Sequence, residues 1–226
     1  SDRAGDNGAM LVQNNVPLQA HNSFHIVAKA QSLVRIQHED DLQAVLADPV
    51  LARELKFVLG GGSNIVLTGD VKALVLKVEI MGRRLLREDE RSVIIEIGAG
   101  ENWHDVVAWS LEQGLPGLEN LALIPGTVGA APVQNIGAYG IELQDRFDSL
   151  DAIDLDSGHL FSLNAAQCGF GYRDSVFKHD SSADAGQGQQ PMGLRGRAMI
   201  VRVRLALPKA WRPELGYADQ IGRAHV

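Results

Sequence analysis

Residues 59–64, which read LGGGSN, could bind an anionic ligand, because they place three glycines and two polar side chains between two apolar, strand-like runs. Glycines allow positive φ angles and let backbone N–H groups converge on an anion. Ser63 and Asn64 would add side-chain donors. The motif is neither a dinucleotide fingerprint nor a P-loop. It favours either a phosphate or diphosphate loop of another type, or simply a tight turn between strands.

Arg173 is the second candidate, since it lies between Tyr172 and Asp174 in the run GFGYRDSVFK. A guanidinium can bind a carboxylate through two parallel hydrogen bonds and stabilise an enolate as charge develops. The alternative is structural, because Asp174 could itself pair with Arg173. The sequence leaves both interpretations open.

Residues 123–143, LIPGTVGAAPVQNIGAYGIEL, combine an apolar composition with four glycines and two prolines. A backbone with so few bulky side chains suits a flat, fused aromatic ring system that is recognised by main-chain groups. A buried, close-packed loop between domains would have the same composition. Both explanations stay open.

The surrounding patterns predict an α+β fold without a regular βαβ repeat. We expect strands at 32–37, within 56–78, at 91–100 and at 198–207, and a hairpin over 147–164 that turns at 156–158. Helices are expected at 38–48 and at 102–114, the second capped by Asn102 and ended by Gly114. Its apolar face would consist of Trp103, Val106, Val107 and Leu111.

Composition narrows the classes of partner. The formal net charge of −7 argues against binding a nucleic acid, and no apolar run reaches membrane-spanning length. Cys168 is the single cysteine, so an internal disulfide is impossible and a reducing cytoplasm fits best. The seven histidines have no metal-ligand spacing, and we expect no metal site.

Taken together, the runs 59–64, 98–143, 168–180 and 211–219 resemble the MurB family of UDP-N-acetylenolpyruvoylglucosamine reductases. The resemblance implies an α+β, FAD-binding fold of the vanillyl-alcohol oxidase and p-cresol methylhydroxylase type, with two α/β subdomains. It also implies a bacterial, cytoplasmic enzyme of peptidoglycan synthesis. NADPH would reduce the FAD, and the enolpyruvyl ether of a UDP-sugar would then be reduced to UDP-N-acetylmuramate.

The resemblance also implies the role of individual residues. Gly60, Gly61, Gly62, Ser63 and Asn64 would bind the FAD diphosphate. The flavin and the rest of the cofactor would be lined by Ile124, Pro125, Gly126, Gly129, Asn135, Ile136, Gly137 and Gly140. Arg173 matches a catalytic arginine that binds the substrate carboxylate and stabilises the enolate-like intermediate. Tyr139 would lie against the substrate, and Tyr217 matches a tyrosine on a mobile loop in the longer form of the family.

On this basis we expect five segments: a disordered extension at 1–20, FAD-binding subdomains at 21–78 and 79–208, the start of a substrate loop at 209–220, and a non-native tail at 221–226. The family's third, substrate-binding domain, with its proton-donating serine and catalytic glutamate, is missing from this sequence. We therefore expect an inactive fragment that binds FAD at best weakly. Two alternatives remain: a FAD- or nucleotide-binding module without catalysis, and another flavin oxidase of the same fold.

Overall fold

The computed structural model describes residues 11–19, 29–60, 70–180 and 193–209. Within these ranges the chain forms two principal sheets. The first has the order β1-β2-β4-β3, and its strands are Val12–Pro17, Lys29–Ile36, Val71–Val78 and Lys56–Leu59. The strand pairs β2–β4 and β3–β4 are parallel, whereas β1 runs antiparallel to β2.

The second sheet is antiparallel throughout and has the order β10-β9-β11-β6-β5. Its strands, in that order, are Leu160–Asn164, Phe147–Asp154, Ala198–Pro208, Ser92–Gly98 and Arg83–Glu88. A small hairpin, β7 (Gly137–Ala138) and β8 (Ile141–Glu142), stands apart from both sheets. The fold is therefore α+β, as the sequence predicts.

Three α-helices connect these strands: α1 at Glu39–Ala47, α2 at Trp103–Glu112 and α3 at Ala165–Cys168. Short 3₁₀ helices occupy Leu51–Arg53, Glu119–Leu121, Leu143–Asp145 and Val176–Lys178. The predicted cap of α2 is confirmed, since the Asn102 side chain accepts a hydrogen bond from the Asp105 N–H at 3.1 Å. Gly114 follows the helix with a φ of +72°, a conformation that favours glycine.

One predicted feature of α2 is wrong. Its buried residues are Trp103, Val106, Val107 and Ser110, whereas Leu111 is 46% exposed. Positions 103, 106, 107 and 110 follow the spacing of one helical face, and Leu111 falls one position beyond it. The small hydroxyl of Ser110 is accommodated in that face because it donates to the Val107 carbonyl at 2.8 Å.

The expectation of a disordered extension at 1–20 does not hold for β1. Residues 12–17 pair with β2 and so complete the edge of the first sheet. Apolar periodicity does not predict this strand, because Gln13, Asn14 and Asn15 are polar. The expected division at residue 78 coincides with the gap between β4 and β5, where the first sheet ends and the second begins. The domain boundaries themselves stay a prediction.

Of the two hydrophobic clusters among the described residues, the larger connects the two sheets, and the smaller packs on the first sheet alone. The larger cluster contains Val34 and Leu76 from the first sheet, Ile95 and Val203 from the second, and Val106 from α2. The aliphatic side chains of β11 that alternate into this core, Met199, Val201, Val203, Leu205 and Leu207, are fully buried. The predicted alternation of β11 is therefore confirmed.

The opposite face of the second sheet carries a compact ion-pair network around Arg204. Its guanidinium donates to Glu96 at 2.8 Å and to both carboxylate oxygens of Asp151, at 2.9 and 2.6 Å. Burial of Asp151 acts to raise its pKa, but hydrogen bonds from Arg204 and Ser162 outweigh this, and the pKa of Asp151 lies below its usual value. Arg202 extends the network to Glu39 at the start of α1.

Candidate functional site

A cavity of about 550 Å³ lies between the two sheets, a size typical of small-molecule sites. The first sheet contributes Lys56, Phe57, Val58 and Gly60 from β3 and its end, together with Val78. The second contributes Ala99, Ala198 and Ile200. Gly60, the first glycine of the LGGGSN motif, therefore lies in the wall of this cavity.

The segment 127–136 forms the wall that faces β3. One side of this segment packs into the core, and the other side lines the cavity. Val128, Ala131 and Ile136 are buried in the core. Thr127, Gly129, Ala130, Val133 and Gln134 line the cavity instead. One side of this glycine-rich stretch is thus a close-packed loop, and the other side lines a cavity that could hold a ligand.

Gly129 is required for the way this wall packs. A Cβ at position 129 would come within 2.8 Å of the Ala99 Cβ and 3.1 Å of the Ala99 carbonyl oxygen. The Gly129 N–H donates to that same carbonyl at 2.9 Å. The wall is therefore fastened directly to the end of β6, and only a residue without a side chain fits there.

Thr127 carries the most informative polar atom of the cavity. Its Oγ1 is buried and has no hydrogen-bond partner, the one such side-chain atom among the described residues. A Cβ at Gly60 would lie 2.8 Å from this oxygen. A buried hydroxyl without a partner costs about 1–3 kcal/mol, and in native proteins such groups commonly have a functional explanation. Thr127 is therefore placed to bind a polar ligand group beside the Gly60 backbone.

The charge of the lining is uniformly positive. The described lining residues include Lys56, Lys178 and Arg195 and no Asp or Glu. The Lys56 ammonium reaches the carbonyls of Ala52 and Glu54 at 2.8 and 3.2 Å. Cations combined with an unpartnered hydroxyl and a glycine backbone suit a phosphate-bearing ligand.

A second feature, the β7–β8 hairpin, stands next to this wall. Tyr139 and Gly140 form its two-residue loop with φ angles of +52° and +78°, the signature of a type I′ turn. The Tyr139 side chain is 85% exposed. Asn135, just before the hairpin, is fully buried and also has a positive φ of +42°.

The Asn135 side chain connects the hairpin to the turn that carries Arg173. Its amide donates to the Gly171 carbonyl at 2.9 Å and to the Glu142 carboxylate at 3.1 Å, and its oxygen accepts from the Gln144 N–H at 3.0 Å. The Asn135 backbone also has internal partners, since its N–H donates to the Pro132 carbonyl and its carbonyl accepts from Arg173. The predicted role of this residue in lining the cofactor stays a prediction.

Arg173 itself is held in an unusual backbone conformation. Its φ of +51° costs a non-glycine residue roughly 1 kcal/mol, and such residues cluster at functional sites. The guanidinium donates to the carbonyls of Asn135 and Gly137, and it stacks 5.3 Å from the Tyr172 ring centroid. Arg173 is therefore directed toward the hairpin that presents Tyr139.

The structure does not pair Arg173 with Asp174. Both carboxylate oxygens of Asp174 lie within 2.8 Å of the His179 Nε2 instead. The turn is tied to the cavity wall by two other contacts. Ser175 Oγ donates to the Val133 carbonyl at 2.7 Å, and the Lys178 ammonium donates to the Arg173 carbonyl at 2.8 Å.

The predicted site residues therefore fall into two groups. Gly60 and Gly129 line the cavity, whereas Asn135, Gly137, Tyr139 and Arg173 gather around the hairpin. The other predicted cofactor residues, Ile124, Pro125, Gly126, Ile136 and Gly140, are not part of the described cavity wall. Gly61, Gly62, Ser63, Asn64 and Tyr217 lie outside the described residues.

Sequence reasoning missed Thr127, Lys178 and Arg195. Thr127 could have been noticed, because it is the one hydroxyl in the stretch 123–136. Lys178 and Arg195 carry no signal of their own, since they reach the cavity only through the packing of their loops.

The described residues form no helix with the length and apolar composition that a membrane span requires. They also contain no group of three or more His, Cys, Asp or Glu residues that could hold a metal ion.

Comparison with known proteins extends these observations. A family model described as "FAD binding domain" matches residues 30–164, more than half of the chain. A UDP-N-acetylenolpyruvoylglucosamine reductase of Burkholderia orbicola (strain MC0-3) is 52% identical over 214 residues, which are 95% of this chain. The reductase of Azoarcus sp. (strain BH72) is 53% identical over 214 residues, which are 93% of this chain. The chain spans 58% of the length of each of these relatives.

Solved structures show the same fold. The reductase MurB from Thermus caldophilus superposes with a TM-score of 0.68 at 24% identity, over 95% of this chain and 68% of that one. A solvent-stable cholesterol oxidase superposes with a TM-score of 0.56 at 12% identity, over 92% of this chain and 40% of that one. These two structures therefore share the fold of this chain, and the chain is a homologue of the UDP-N-acetylenolpyruvoylglucosamine reductases.

Proposed function

Since the chain belongs to the family of FAD-binding domains, we propose that the cavity between the two sheets binds FAD. The observation that carries this proposal is the unpartnered Thr127 hydroxyl, which faces the Gly60 backbone in a cavity lined by Lys56, Lys178 and Arg195. A dinucleotide cofactor brings a diphosphate, which requires donors and positive charge. The described lining offers both and no opposing carboxylate.

Gly60 and Thr127 lie in contact with each other in the cavity wall, and both are proposed to bind the same polar group of the cofactor. Gly61, Gly62, Ser63 and Asn64, which continue the same motif, are proposed to bind the diphosphate. Gly129 contributes by letting the wall lie flat on Ala99. Ile124, Pro125, Gly126, Ile136, Gly137 and Gly140 are proposed to lie along the flavin.

We further propose that the protein acts as a UDP-N-acetylenolpyruvoylglucosamine reductase. Sequence identities of 52% and 53% to the Burkholderia orbicola and Azoarcus reductases support this proposal. When bound, FAD would supply hydride transfer from NADPH to one carbon of the enolpyruvyl double bond, and a proton added to the other carbon would complete UDP-N-acetylmuramate. The proposed role is therefore in peptidoglycan synthesis, in the bacterial cytoplasm.

Arg173 is proposed to bind the substrate carboxylate and to stabilise the enolate-like charge. An arginine has five N–H donors, and the described contacts of the guanidinium occupy two of its nitrogens. Those two contacts orient the guanidinium, and its remaining N–H groups can donate to a carboxylate. Tyr139 is proposed to lie against the substrate, and Tyr217 to close over the UDP-sugar.

Two measurements test the proposal at its two levels. Titration of the purified 226-residue chain with FAD, followed by flavin fluorescence, should show weak, saturable binding at one site. A chimera of residues 1–209 with the remaining C-terminal part of the Burkholderia orbicola reductase should oxidise NADPH only when the enolpyruvyl UDP-sugar is present. A folded chimera that binds FAD but leaves the UDP-sugar unreduced would overturn the reductase proposal and favour a binding module.

An oxidase is the second candidate, because the cholesterol oxidases share the fold. It requires oxygen consumption with an alcohol or a phenol. An oxygen electrode distinguishes it from the reductase, since the reductase proposal expects oxygen uptake to be independent of any such alcohol.

A further inference from the structure

The guanidinium of Arg173 has two acidic neighbours, and the structure directs both of them elsewhere. Asp174 is adjacent in the chain, and its carboxylate faces the His179 Nε2 at 2.8 and 2.7 Å. Glu142 contacts Gly137 closely, because a Cβ at Gly137 would lie 3.0 Å from the Glu142 Cγ and 2.7 Å from the Arg173 Nη1. Yet among the described residues neither carboxylate forms an ion pair with Arg173.

The Glu142 carboxylate is held by two amides. Its Oε2 accepts from the Asn135 side chain at 3.1 Å and from the Gln144 side chain at 2.6 Å. Neutral amide donors satisfy this carboxylate without a cation. Asn135 thereby stands between Glu142 and Arg173, with its side chain toward the first and its carbonyl toward the second.

His179 is the corresponding partner of Asp174. It is better suited to substitution than Asn135, because it is more exposed. Its side chain is 53% exposed, as against the fully buried Asn135. It comes from the far side of the Val176–Lys178 helix and closes the turn that contains Arg173. Without this partner, Asp174 would be free to swing to the guanidinium one residue away.

We propose that His179 is a positioning residue that keeps the Asp174 carboxylate away from Arg173, so that the guanidinium stays available to a carboxylate from a ligand. The inference rests on the proposed function for the nature of that ligand. Its structural part, the choice of partner by Asp174, is independent of any reaction. A protein carboxylate on Arg173 would compete with a ligand carboxylate for the same donors.

The test uses the chemical reactivity of Arg173, which needs no turnover. The 226-residue chain is treated with phenylglyoxal, which modifies unpaired guanidinium groups, and modification of Arg173 is followed over time by peptide mass spectrometry. His179→Ala, which leaves no side-chain donor at this position, should slow the modification of Arg173 by roughly twofold to fivefold, the range expected for one exposed ion pair. His179→Ala combined with Asp174→Asn should restore the wild-type rate, because the competing carboxylate is then gone.

His38→Ala is the matched control, because His38 also contacts an aspartate, Asp41, at 3.7 Å and lies on another element. It should leave the modification rate of Arg173 unchanged. The inference is overturned if His179→Ala leaves the rate unchanged, or if the added Asp174→Asn does not restore it. Circular dichroism shows that each variant is folded, and a folded Asp174→Asn single variant should modify at the wild-type rate.

A separate arm distinguishes this inference from the proposed function. In the wild-type chain with FAD present, the enolpyruvyl UDP-sugar should protect Arg173 from phenylglyoxal. If protection fails while the His179→Ala and rescue results hold, the ligand is wrong and the positioning role stands. If protection succeeds while His179→Ala has no effect, the positioning role is wrong and the ligand stands.

Discussion

The hydroxyl oxygen of Thr127 lies 2.8 Å from the point that a Cβ at Gly60 would occupy. These two residues are far apart in the sequence and come from opposite walls of the cavity. Their approach leaves the hydroxyl buried and without a partner, in a wall of a cavity whose described lining includes Lys56, Lys178 and Arg195 and no Asp or Glu. An atom with this cost to the unliganded protein is the clearest sign that the cavity is shaped for a polar ligand.

Replacing Thr127 by the isosteric valine should therefore have opposite effects on stability and on binding. The free energy of unfolding should stay the same or rise by about 1 kcal/mol, since an unsatisfied hydroxyl is removed. The FAD dissociation constant should rise roughly two- to tenfold, the loss expected for one hydrogen bond. Urea denaturation and flavin fluorescence measure the two quantities.

Ser110→Ala serves as the control, because it removes a buried hydroxyl in α2 that already has a partner, the Val107 carbonyl. FAD affinity should be unaffected. If Thr127→Val lowers stability and leaves FAD affinity unchanged, Thr127 is a structural residue.

Arg173→Lys should impair one half-reaction of the chimera and spare the other. A lysine ammonium cannot reproduce the fork that now contacts the Asn135 and Gly137 carbonyls, so a substrate carboxylate would lose its paired donors. Reoxidation of the reduced flavin by the enolpyruvyl UDP-sugar should slow by roughly 10²- to 10³-fold. Anaerobic stopped-flow absorbance should show flavin reduction by NADPH nearly unchanged, and equal loss in both halves would make Arg173 a structural residue.

Arg204→Met should destabilise the protein at pH 7, because Glu96 and Asp151 would lose the cation that joins them and keep only Arg84 and Arg202, respectively, as cationic partners. Since these partners remain, the cost should lie at or below the lower end of the roughly 3–5 kcal/mol that a broken buried pair costs. Urea denaturation measures the change. Arg87→Met is the control, since it breaks the exposed pair with Asp148 and should cost at most about 1 kcal/mol.

The loss of stability caused by Arg204→Met should depend on pH, and its direction follows from the lowered pKa of Asp151. The pKa of Asp151 is lowered in the folded protein, so its pairing contributes stability above the unfolded value of about 3.9. That contribution is lost as the pH falls through the lower, folded pKa. The difference between wild type and Arg204→Met should therefore shrink below about pH 4, and a difference that is constant from pH 7 to pH 3 would contradict the network.

The sequence predicted the elements with strong periodicity and missed those without it. β11 alternates as expected because arginines and aliphatic residues occupy opposite faces of one strand. β1 was missed because its polar residues, at the edge of the sheet, give no apolar alternation. Leu111 was placed on the buried face because it is apolar and follows Val107 at helical spacing, but it lies at the edge of that face, which the core does not cover.

At the site, the sequence indicated which stretches contribute residues. It did not indicate which of these residues line the cavity, which pack in the core and which pair with each other. Residues 127–136 were left open between core and ligand wall, and they are both, since neighbouring side chains point to opposite sides. The pairing of Arg173 with Asp174 was an open alternative, and only the fold shows that His179, five residues after Asp174, takes that carboxylate. Contacts of this kind depend on the path of the chain and have no local pattern.

The claim that the cavity binds FAD is tested most directly by titrating the wild-type chain and its Gly60→Val variant with FAD. The account predicts saturable binding at one site for the wild type, and loss of that binding in a folded Gly60→Val protein, since the valine side chain would meet Thr127 and fill the approach. Ala108→Val, an exposed change on α2, should bind as the wild type does. A folded wild-type chain without saturable FAD binding, or a Gly60→Val variant that binds FAD equally well, would contradict the account.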